Sequence, residues 1–377
     1  LTAGTSLTAN DSTVIATAGS ATIQANGGDL SMNVSTITAN TSVTGTASGA
    51  MLLDASTATA DTDLSLTAGA AMTGTTSTFT AGNDLSLTAG ESLTANTSTV
   101  TATTGSVTIQ ANGGDLSMNA STITAKTSVS GTASGGVLLD GSTLTATTGA
   151  LTLGAAGGNL SLESADLVAG AALTGTASAG VLLDASTATA GTDLSLSAGT
   201  VLTGDDSTFT AGNDLSLTAG TSLTANDSTV IATAGSATIK ANGGALSMNV
   251  STITANTSVT GTASGAVLLD NSTLTATTGA LTLGAAGGNL SLESADLVAG
   301  AALTGTASAG VLLDASTATA GTDLSLSAGT VLTGDDSTFT AGNDLSLTAG
   351  TSLTANHSTV IATAGSATIK ANGGDLS

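Results

Sequence analysis

The chain has no cysteine, proline, tryptophan or tyrosine, and its only aromatic residues are three phenylalanines among 377 residues. Without cysteine the chain forms no disulfides and no thiolate sites, although this absence does not decide the cellular compartment. Without large aromatic side chains, a wide globular core is hard to fill. Hydrophobic residues still make up 40% of the chain, which is not typical of disordered proteins. A narrow core of Leu, Val, Ile and Ala reconciles these facts.

Positive charge is also scarce. Lys126, Lys240 and Lys370 are the only cationic side chains, against 26 acidic residues, and the formal net charge is −23. Nucleic-acid binding requires Lys and Arg to neutralise phosphates, so the composition excludes that class of function. Binding to anionic membrane surfaces is excluded by the same argument. No apolar run is long enough to span a bilayer, so membrane insertion is not expected.

What the chain does contain is repetition. The decamer AGNDLSLTAG stands at 81–90, 211–220 and 341–350, and residues 142–226 are identical to residues 272–356. Within this 130-residue period, a Ser-Thr pair followed by an apolar residue recurs at steps of 21 or 23 residues, and Asp166 fills the one missing place between Thr143 and Thr187. Six steps make one block, and the first block is two steps shorter. An element that can be lost in whole numbers is typical of a solenoid, in which each coil contacts only its neighbours.

Inside each step the pattern is that of β-strands. DLSLTAG (84–90) alternates apolar and polar residues, and the STxTA segments place one apolar residue between two threonines. This alternation predicts that Val100, Ile123, Leu144 and Phe209 point inward while the flanking threonines point outward. Phe79 and Phe339 occupy the equivalent places in the neighbouring blocks. Thr, Val and Ile favour strands, and the lack of proline suits an uninterrupted hydrogen-bond ladder.

Gly, Asn and Asp collect between these segments, where corners need permissive backbones. Three short strands and three corners in about 22 residues predict an all-β, parallel β-helix, right-handed by the crossover rule. We expect one continuous β-solenoid over residues 1–377, and we interpret the chain as a window of a longer repeat protein. The 23-residue steps contain Gly-Gly pairs such as Gly113-Gly114, and their two extra residues are expected to form a bulge at one corner.

Few residues suggest chemistry. His357 is the only histidine and replaces Asp11 and Asp227 of equivalent coils, so a solvent-facing corner position is expected rather than a catalytic one. The acidic pairs Asp205-Asp206 and Asp335-Asp336 could contribute to calcium sites. Solubility through net negative charge explains them more simply. We therefore predict no catalytic, cofactor-binding or metal-binding residues and no cofactor.

The Thr-x-Thr column forms an outward array of hydroxyl and methyl groups, and this array is similar to the ice-binding face of β-helical antifreeze proteins. It is interrupted, because Asp166, Val168, Asp296 and Val298 replace threonines. Isoleucine replaces the second threonine at Ile15, Ile231 and Ile361. Thr ladders also arise because Thr suits a strand surface.

Asn-x-Ser/Thr sequons are frequent. Examples begin at Asn33, Asn96, Asn119, Asn226 and Asn256. Many sequons arise by chance in a chain this rich in Asn, Ser and Thr, and they matter only in a secreted protein that meets a suitable glycosyltransferase.

Runs such as AGNDLSLTAG, GNLSLESADLVAG and ASAGVLLDASTATAGTDLSLSAG resemble filamentous haemagglutinin-type repeats over essentially the whole chain. That family comprises large bacterial adhesins and exoproteins that form extracellular right-handed β-helical fibres. The Asn-Pro motifs of the family's secretion domain are missing here, since the chain has no proline. The resemblance implies a fold and a surface location, and no functional residue is carried over.

These observations favour a non-enzymatic structural role: the shaft of a secreted or cell-surface bacterial fibre that mediates adhesion or cell–cell contact. The expected partners are other copies or neighbouring repeats, end to end or laterally, and ligands on host or neighbouring cells. An ice-binding protein is the alternative, and a polysaccharide-acting β-helix enzyme ranks below it. An enzyme would need unlike residues clustered in one cleft.

Overall fold

The alternation of apolar and polar residues produces short β-strands throughout residues 1–377, all of which the computed structural model describes. The strands belong to two compact units, Leu1–Gly191 and Thr192–Ser377. Each unit contains β-strands and no helix. The all-β, parallel β-solenoid with three strands per coil is therefore confirmed. Its handedness and its continuity over the whole chain stay predictions.

Unit 1 contains 27 strands: β1 (Thr2–Ala3), β2 (Leu7–Asn10), β3 (Thr13–Ala16), β4 (Ala21–Ala25), β5 (Leu30–Asn33), β6 (Thr36–Ala39), β7 (Val43–Ala47), β8 (Met51–Asp54), β9 (Thr57–Ala60), β10 (Leu64–Ala68), β11 (Met72–Thr75), β12 (Thr78–Ala81), β13 (Leu85–Ala89), β14 (Leu93–Asn96), β15 (Thr99–Ala102), β16 (Val107–Ala111), β17 (Leu116–Asn119), β18 (Thr122–Ala125), β19 (Val129–Ala133), β20 (Val137–Asp140), β21 (Thr143–Ala146), β22 (Leu151–Ala155), β23 (Leu160–Glu163), β24 (Asp166–Ala169), β25 (Leu173–Ala177), β26 (Val181–Asp184) and β27 (Thr187–Ala190).

Unit 2 contains 25 strands: β28 (Leu194–Ala198), β29 (Leu202–Asp205), β30 (Thr208–Ala211), β31 (Leu215–Ala219), β32 (Leu223–Asn226), β33 (Thr229–Ala232), β34 (Ala237–Ala241), β35 (Leu246–Asn249), β36 (Thr252–Ala255), β37 (Val259–Ala263), β38 (Val267–Asp270), β39 (Thr273–Ala276), β40 (Leu281–Ala285), β41 (Leu290–Glu293), β42 (Asp296–Ala299), β43 (Leu303–Ala307), β44 (Val311–Asp314), β45 (Thr317–Ala320), β46 (Leu324–Ala328), β47 (Leu332–Asp335), β48 (Thr338–Ala341), β49 (Leu345–Ala349), β50 (Leu353–Asn356), β51 (Thr359–Ala362) and β52 (Ala367–Ala371).

Within each unit, every third strand belongs to the same parallel sheet. We call the sheets that begin with β1, β2 and β3 sheet 1, sheet 2 and sheet 3, and we use the same names for the equivalent strands of unit 2. In sheet 3, Thr57 of β9 is in register with Thr78 of β12, 21 residues later. Thr99 of β15 is in register with Thr122 of β18, 23 residues later. The predicted steps of 21 and 23 residues are therefore confirmed as the spacing between paired strands.

The core is a narrow column of side chains between the three sheets. Val100, Ile123, Leu144 and Phe209 are at most 1% exposed, as predicted, and the threonines beside them are half-buried or exposed. The alanine that ends each sheet 3 strand is also buried in most coils, as in Ala102 and Ala125. Small and medium-sized side chains therefore fill the interior, and the narrow core needs no aromatic residues beyond the three phenylalanines.

The corners correct one expectation about the 23-residue coils. Four residues join Ala102 to Val107 and four join Ala111 to Leu116, whereas three residues span each equivalent corner after Ala60 and after Ala68. The two extra residues are therefore divided between the corners on either side of the sheet 1 strand. The predicted bulge at a single corner is wrong, because lengthening both corners by one residue moves the strand between them without breaking its register.

The corner between sheets 2 and 3 is always two residues long. Its first residue has a positive φ in every coil, and a glycine fills the position only at Gly141, with a φ of 55°. Asparagine and aspartate tolerate this left-handed conformation, whereas β-branched residues pay a steric cost. Val34, Thr76, Thr97 and Val250 nevertheless occupy it, with φ between 49° and 51°. The coil geometry imposes this conformation on whichever residue stands there.

Candidate functional site

The second residue of the same corner is the serine of the repeated Ser-Thr pair, and its side chain is buried. These serines lie above one another in successive coils, and we call the set the serine column. Its buried members in unit 1 are Ser35, Ser56, Ser77, Ser98, Ser121, Ser142 and Ser186. Those in unit 2 are Ser207, Ser228, Ser251, Ser272, Ser316 and Ser337. Each is 1–2% exposed.

Each hydroxyl of the column connects two coils. The Ser56 amide donates a 3.1 Å hydrogen bond to Oγ of Ser77, one coil further on. The Ser77 hydroxyl in turn lies 3.0 Å from the carbonyl oxygen of Thr75, the last strand residue before its own corner, and 3.1 Å from that of Leu53 in the preceding coil. Buried polar groups are costly unless they are hydrogen-bonded. The column therefore satisfies the buried corner and fixes the register between coils.

Sequence reasoning used the Ser-Thr pair only as a marker of the repeat. The signal for the column was present, since the serine recurs with the threonine at every step except at Ala165 and Ala295. Serine is a common turn residue, so its recurrence at a corner did not indicate burial.

The outward threonines of sheet 3 form the most regular exposed surface of unit 1. From β6 to β21, six successive strands carry the unbroken Thr-x-Thr pattern. We call this surface the threonine face; its members are Thr36, Thr38, Thr57, Thr59, Thr78, Thr80, Thr99, Thr101, Thr122, Thr124, Thr143 and Thr145. Their Cα atoms are paired in register from strand to strand.

The next strand, β24, ends the threonine face. Asp166 and Val168 are in register with Thr143 and Thr145. The Thr187 hydroxyl donates a short hydrogen bond to Oδ1 of Asp166. The same arrangement occurs in unit 2, where the Thr317 hydroxyl donates to Oδ1 of Asp296. The interruptions predicted from the sequence therefore lie on the outward surface itself.

His357 lies at the corner between sheets 2 and 3, with a φ of 49° and its side chain 83% exposed. The predicted corner position is confirmed. Its Nδ1 is 3.9 Å from Oδ1 of Asp336, whose side chain is 67% exposed. One potential ligand atom from each of Asp335, Asp336 and His357 lies within 4.8 Å of the others. This group could hold a divalent cation, and all three residues face solvent or are half-buried.

Many of the other carboxylates bind the backbone. Oδ1 of Asp29 accepts a 2.8 Å hydrogen bond from the Ala50 amide, and Oδ1 of Asp115 accepts one of 2.6 Å from the Gly136 amide. In unit 2, Oδ1 of Asp214 accepts a 2.8 Å bond from the Ser236 amide. Hydrogen bonds to ionised acceptors are stronger than those between neutral groups. These aspartates therefore join a corner of one coil to the corner of the next. Asp205 differs from them, because its Oδ1 accepts a 2.7 Å hydrogen bond from a side chain, the Nδ2 of Asn226 in the next coil.

The sequons divide into two kinds. Those that begin at Asn33, Asn96, Asn119 and Asn226 end on buried serines of the column, so the column explains why a serine stands there. The sequon at Asn256 differs, because Ser258 is half-buried at another corner and its hydroxyl donates a 2.9 Å bond to Oγ of Ser236.

Comparison of the chain with protein-family models, curated proteins and solved structures finds no match. The chain contains no helix of the length and apolarity needed to cross a membrane. The functional argument therefore rests on the solenoid and its surfaces.

Proposed function

We propose that this chain is part of the shaft of a secreted or cell-surface bacterial fibre or giant adhesin, where it holds a distal adhesive region away from the cell. The observation that carries the proposal is the in-register repetition of the same residue types from coil to coil within each unit. Such repetition multiplies one structural element. We propose a structural rather than a catalytic role, at the bacterial cell surface.

A shaft also needs contacts with its neighbours. In both units, sheet 2 carries outward leucines, of which Leu52, Leu138, Leu268 and Leu312 are 39–44% exposed. Exposed apolar side chains on a regular surface supply area for association. We propose that these leucines contribute to lateral contacts between copies in a fibre, and that other copies or neighbouring repeats pair end to end.

The shaft proposal predicts that the chain tolerates loss of whole blocks and shortens in proportion. Deletion of residues 142–271 joins Gly141 to Ser272 and preserves the position of the column serine. Six coils at about 4.8 Å each amount to about 29 Å. We expect small-angle X-ray scattering to show this decrease in maximum dimension, and the producing cells to keep most of their attachment.

The control is a deletion of residues 142–261, which removes most of the same region but breaks the register of the coils at the join. It should disrupt stacking at the join, because each coil contacts only its neighbours, and it should lower the stability of the chain. If the register-preserving deletion folds and shortens but attachment is lost, the deleted region carries a binding site and the shaft proposal is wrong.

Ice binding remains the second candidate because the threonine face is unbroken over six coils. Parallel strands lie about 4.8 Å apart and residues two apart in a strand about 6.6 Å apart. The face therefore presents hydroxyl and methyl groups on a two-dimensional grid. A repeating surface of this kind suits a repeating ligand such as an ice crystal.

The test is inhibition of ice recrystallisation by the chain. Thr101→Tyr, in the middle of the threonine face, should abolish inhibition, whereas Thr174→Tyr on the outward side of sheet 1 should not. If the unmodified chain does not inhibit recrystallisation, ice binding is excluded and the shaft proposal is unaffected.

A further inference from the structure

The serine column has one gap in each unit. Ala165 occupies the column position after Ser142, and Ala295 occupies it after Ser272. Both alanines are 2% exposed and their methyl groups offer no acceptor. We call the contacts between Ser142 and Ala165 and between Ser272 and Ala295 the alanine junctions. At these junctions the amides of Ser142 and Ser272 lack the hydroxyl acceptor that the other buried corner amides have.

The column continues normally on the far side of each gap. The Ala165 amide donates a 3.0 Å hydrogen bond to Oγ of Ser186, and the Ala295 amide donates one of 3.0 Å to Oγ of Ser316. The missing bond is therefore confined to one face of one coil. A buried amide without a partner is among the more costly defects in a folded chain.

Like charges meet at the same junctions. At the end of sheet 2, Glu163 is in register with Asp140 on one side and with Asp184 on the other. In unit 2, Glu293 is in register with Asp270 and Asp314. Like charges directly opposite one another destabilise a strand pair. The one contact of the chain within salt-bridge distance is between His357 and Asp336, so no Lys side chain pairs with these carboxylates.

The contact between Ser98 and Ser121 provides a matched reference in unit 1. It also spans a 23-residue step, and its column bond is present, with the Ser98 amide 3.0 Å from Oγ of Ser121. The residues in register at the end of sheet 2 are the neutral Asn96 and Asn119. The reference junction therefore has the same coil length as the alanine junction, but it keeps the column hydroxyl and has no facing charges.

We propose that each unit opens first at its alanine junction, where the two coils separate locally while the other coils stay paired. The missing hydroxyl and the facing pairs Glu163–Asp140 and Glu293–Asp270 weaken the same contact, whereas the next contact along the chain also has facing carboxylates but keeps its column bond. Because the defect recurs with the 130-residue period, a longer array of such blocks has opening points at regular intervals. The inference concerns the solenoid itself and does not depend on either proposed function.

Hydrogen exchange of the full chain, followed by mass spectrometry at neutral pH, tests the proposal, because exchange of protected amides reports local opening. Peptides that cover 137–146 and 160–169 are compared with peptides that cover 93–102 and 116–125. One lost hydrogen bond corresponds to about five-fold in an opening equilibrium. We expect exchange at least about five-fold faster at the alanine junction. Equal or slower exchange there overturns the proposal.

Two substitutions reverse the difference in the column hydroxyl between the alanine junction of unit 1 and the reference junction. Ala165→Ser restores the acceptor at a position where serine fits in the other coils, and it should slow exchange there about five-fold. Ser121→Ala creates a gap at the reference junction and should accelerate exchange there by a similar factor. If Ala165→Ser fails to fold, Ala295→Ser repeats the test in unit 2. If neither substitution changes local exchange, the hydroxyl does not control opening and the proposal is wrong.

Glu163→Asn tests the effect of the charge alone, because it removes the carboxylate and leaves Ala165 unchanged. It should slow exchange at the alanine junction of unit 1 and leave the unit 2 junction as an internal control. Added salt screens exposed charges, so it should slow exchange at both alanine junctions and not at the reference junction. An equal response at the reference junction would show that the facing carboxylates are not the cause.

Discussion

The Ser98 amide donates a 3.0 Å hydrogen bond to Oγ of Ser121, which is 23 residues further along the chain and directly in register with it. The Ser121 hydroxyl also lies 2.8 Å from the carbonyl oxygen of Ala95. One buried side chain thus satisfies groups from two coils. The serine column is for this reason a main determinant of how coils stack, alongside the backbone ladders.

The first prediction concerns this hydroxyl. Ser121→Ala leaves the buried Ser98 amide without its acceptor, so the free energy of unfolding should fall by about 1–3 kcal/mol. Ser86→Ala serves as the control, because Ser86 points outward from β13 and is half-buried. Urea denaturation measures both variants. Equal stability of the two variants would contradict a structural role for the column.

The second prediction concerns the largest core side chain. Phe209 is 0% exposed, and it is paired in register with Val230 of the next coil. Phe209→Ala should lower the free energy of unfolding by about 3–5 kcal/mol, because it removes apolar contacts and leaves a cavity. Thr210→Ala, on the outward side of the same strand, should have little effect. A loss below about 1 kcal/mol for Phe209→Ala would mean that the inward register is wrong.

The third prediction concerns the left-handed corner. Val250 has a φ of 50° and is 52% exposed, and Asn271 occupies the same corner position with a φ of 46°. Val250→Asn should therefore raise the stability by about 1 kcal/mol, since Asn tolerates this conformation and a β-branched residue does not. Val201→Asn is the control, as Val201 is exposed but has no positive φ. Thermal unfolding that shows no gain for Val250→Asn would argue against strain at this corner.

The fourth prediction compares two glycines. A Cβ at Gly90 would overlap the carbonyl oxygen of Gly69 in the preceding coil, whereas a Cβ at Gly154 would lie 3.6 Å from the nearest atom of Thr132. Gly90→Ala should therefore destabilise the chain by roughly 1–3 kcal/mol or more, as overpacking does. Gly154→Ala should be tolerated or slightly stabilising. The thermal unfolding midpoints of Gly90→Ala and Gly154→Ala are compared. Equal midpoints would mean that the corner at Gly90 can widen to accept a Cβ.

Much of the fold could be predicted from the sequence because strand periodicity is a local property. The alternation around Val100, Ile123, Leu144 and Phe209 predicted which residues point inward, and the recurrence of the Ser-Thr pair predicted the length of a coil. The division of the two extra residues between two corners could not be predicted. A repeat length counts residues but does not say where the chain turns, and the Gly-Gly pair drew attention to one corner only.

The buried hydroxyls and the strained corners escaped prediction for a different reason. Ser98 and Thr97 are ordinary residues for an exposed turn, and neither glycine nor asparagine marks the positive φ of 50° at Thr97. Both properties come from stacking against the adjacent coils and not from the local sequence. Of the possible site residues, His357 was placed correctly, and its proximity to Asp335 and Asp336 required the coil geometry.

Each column serine offers the same hydroxyl acceptor to the coil before it and lies close to the last carbonyl of the strand before its corner. Wherever the following coil carries the serine, the contact between coils therefore depends little on which coil follows. Unequal recombination between the repeated gene segments would thus encode proteins that still fold, provided whole coils are gained or lost. The first block is 44 residues shorter, which equals two coils, and a loss of whole coils is the product expected of such an event. A contact that is the same from coil to coil thereby allows the length of the solenoid to change by whole coils without a change in its fold.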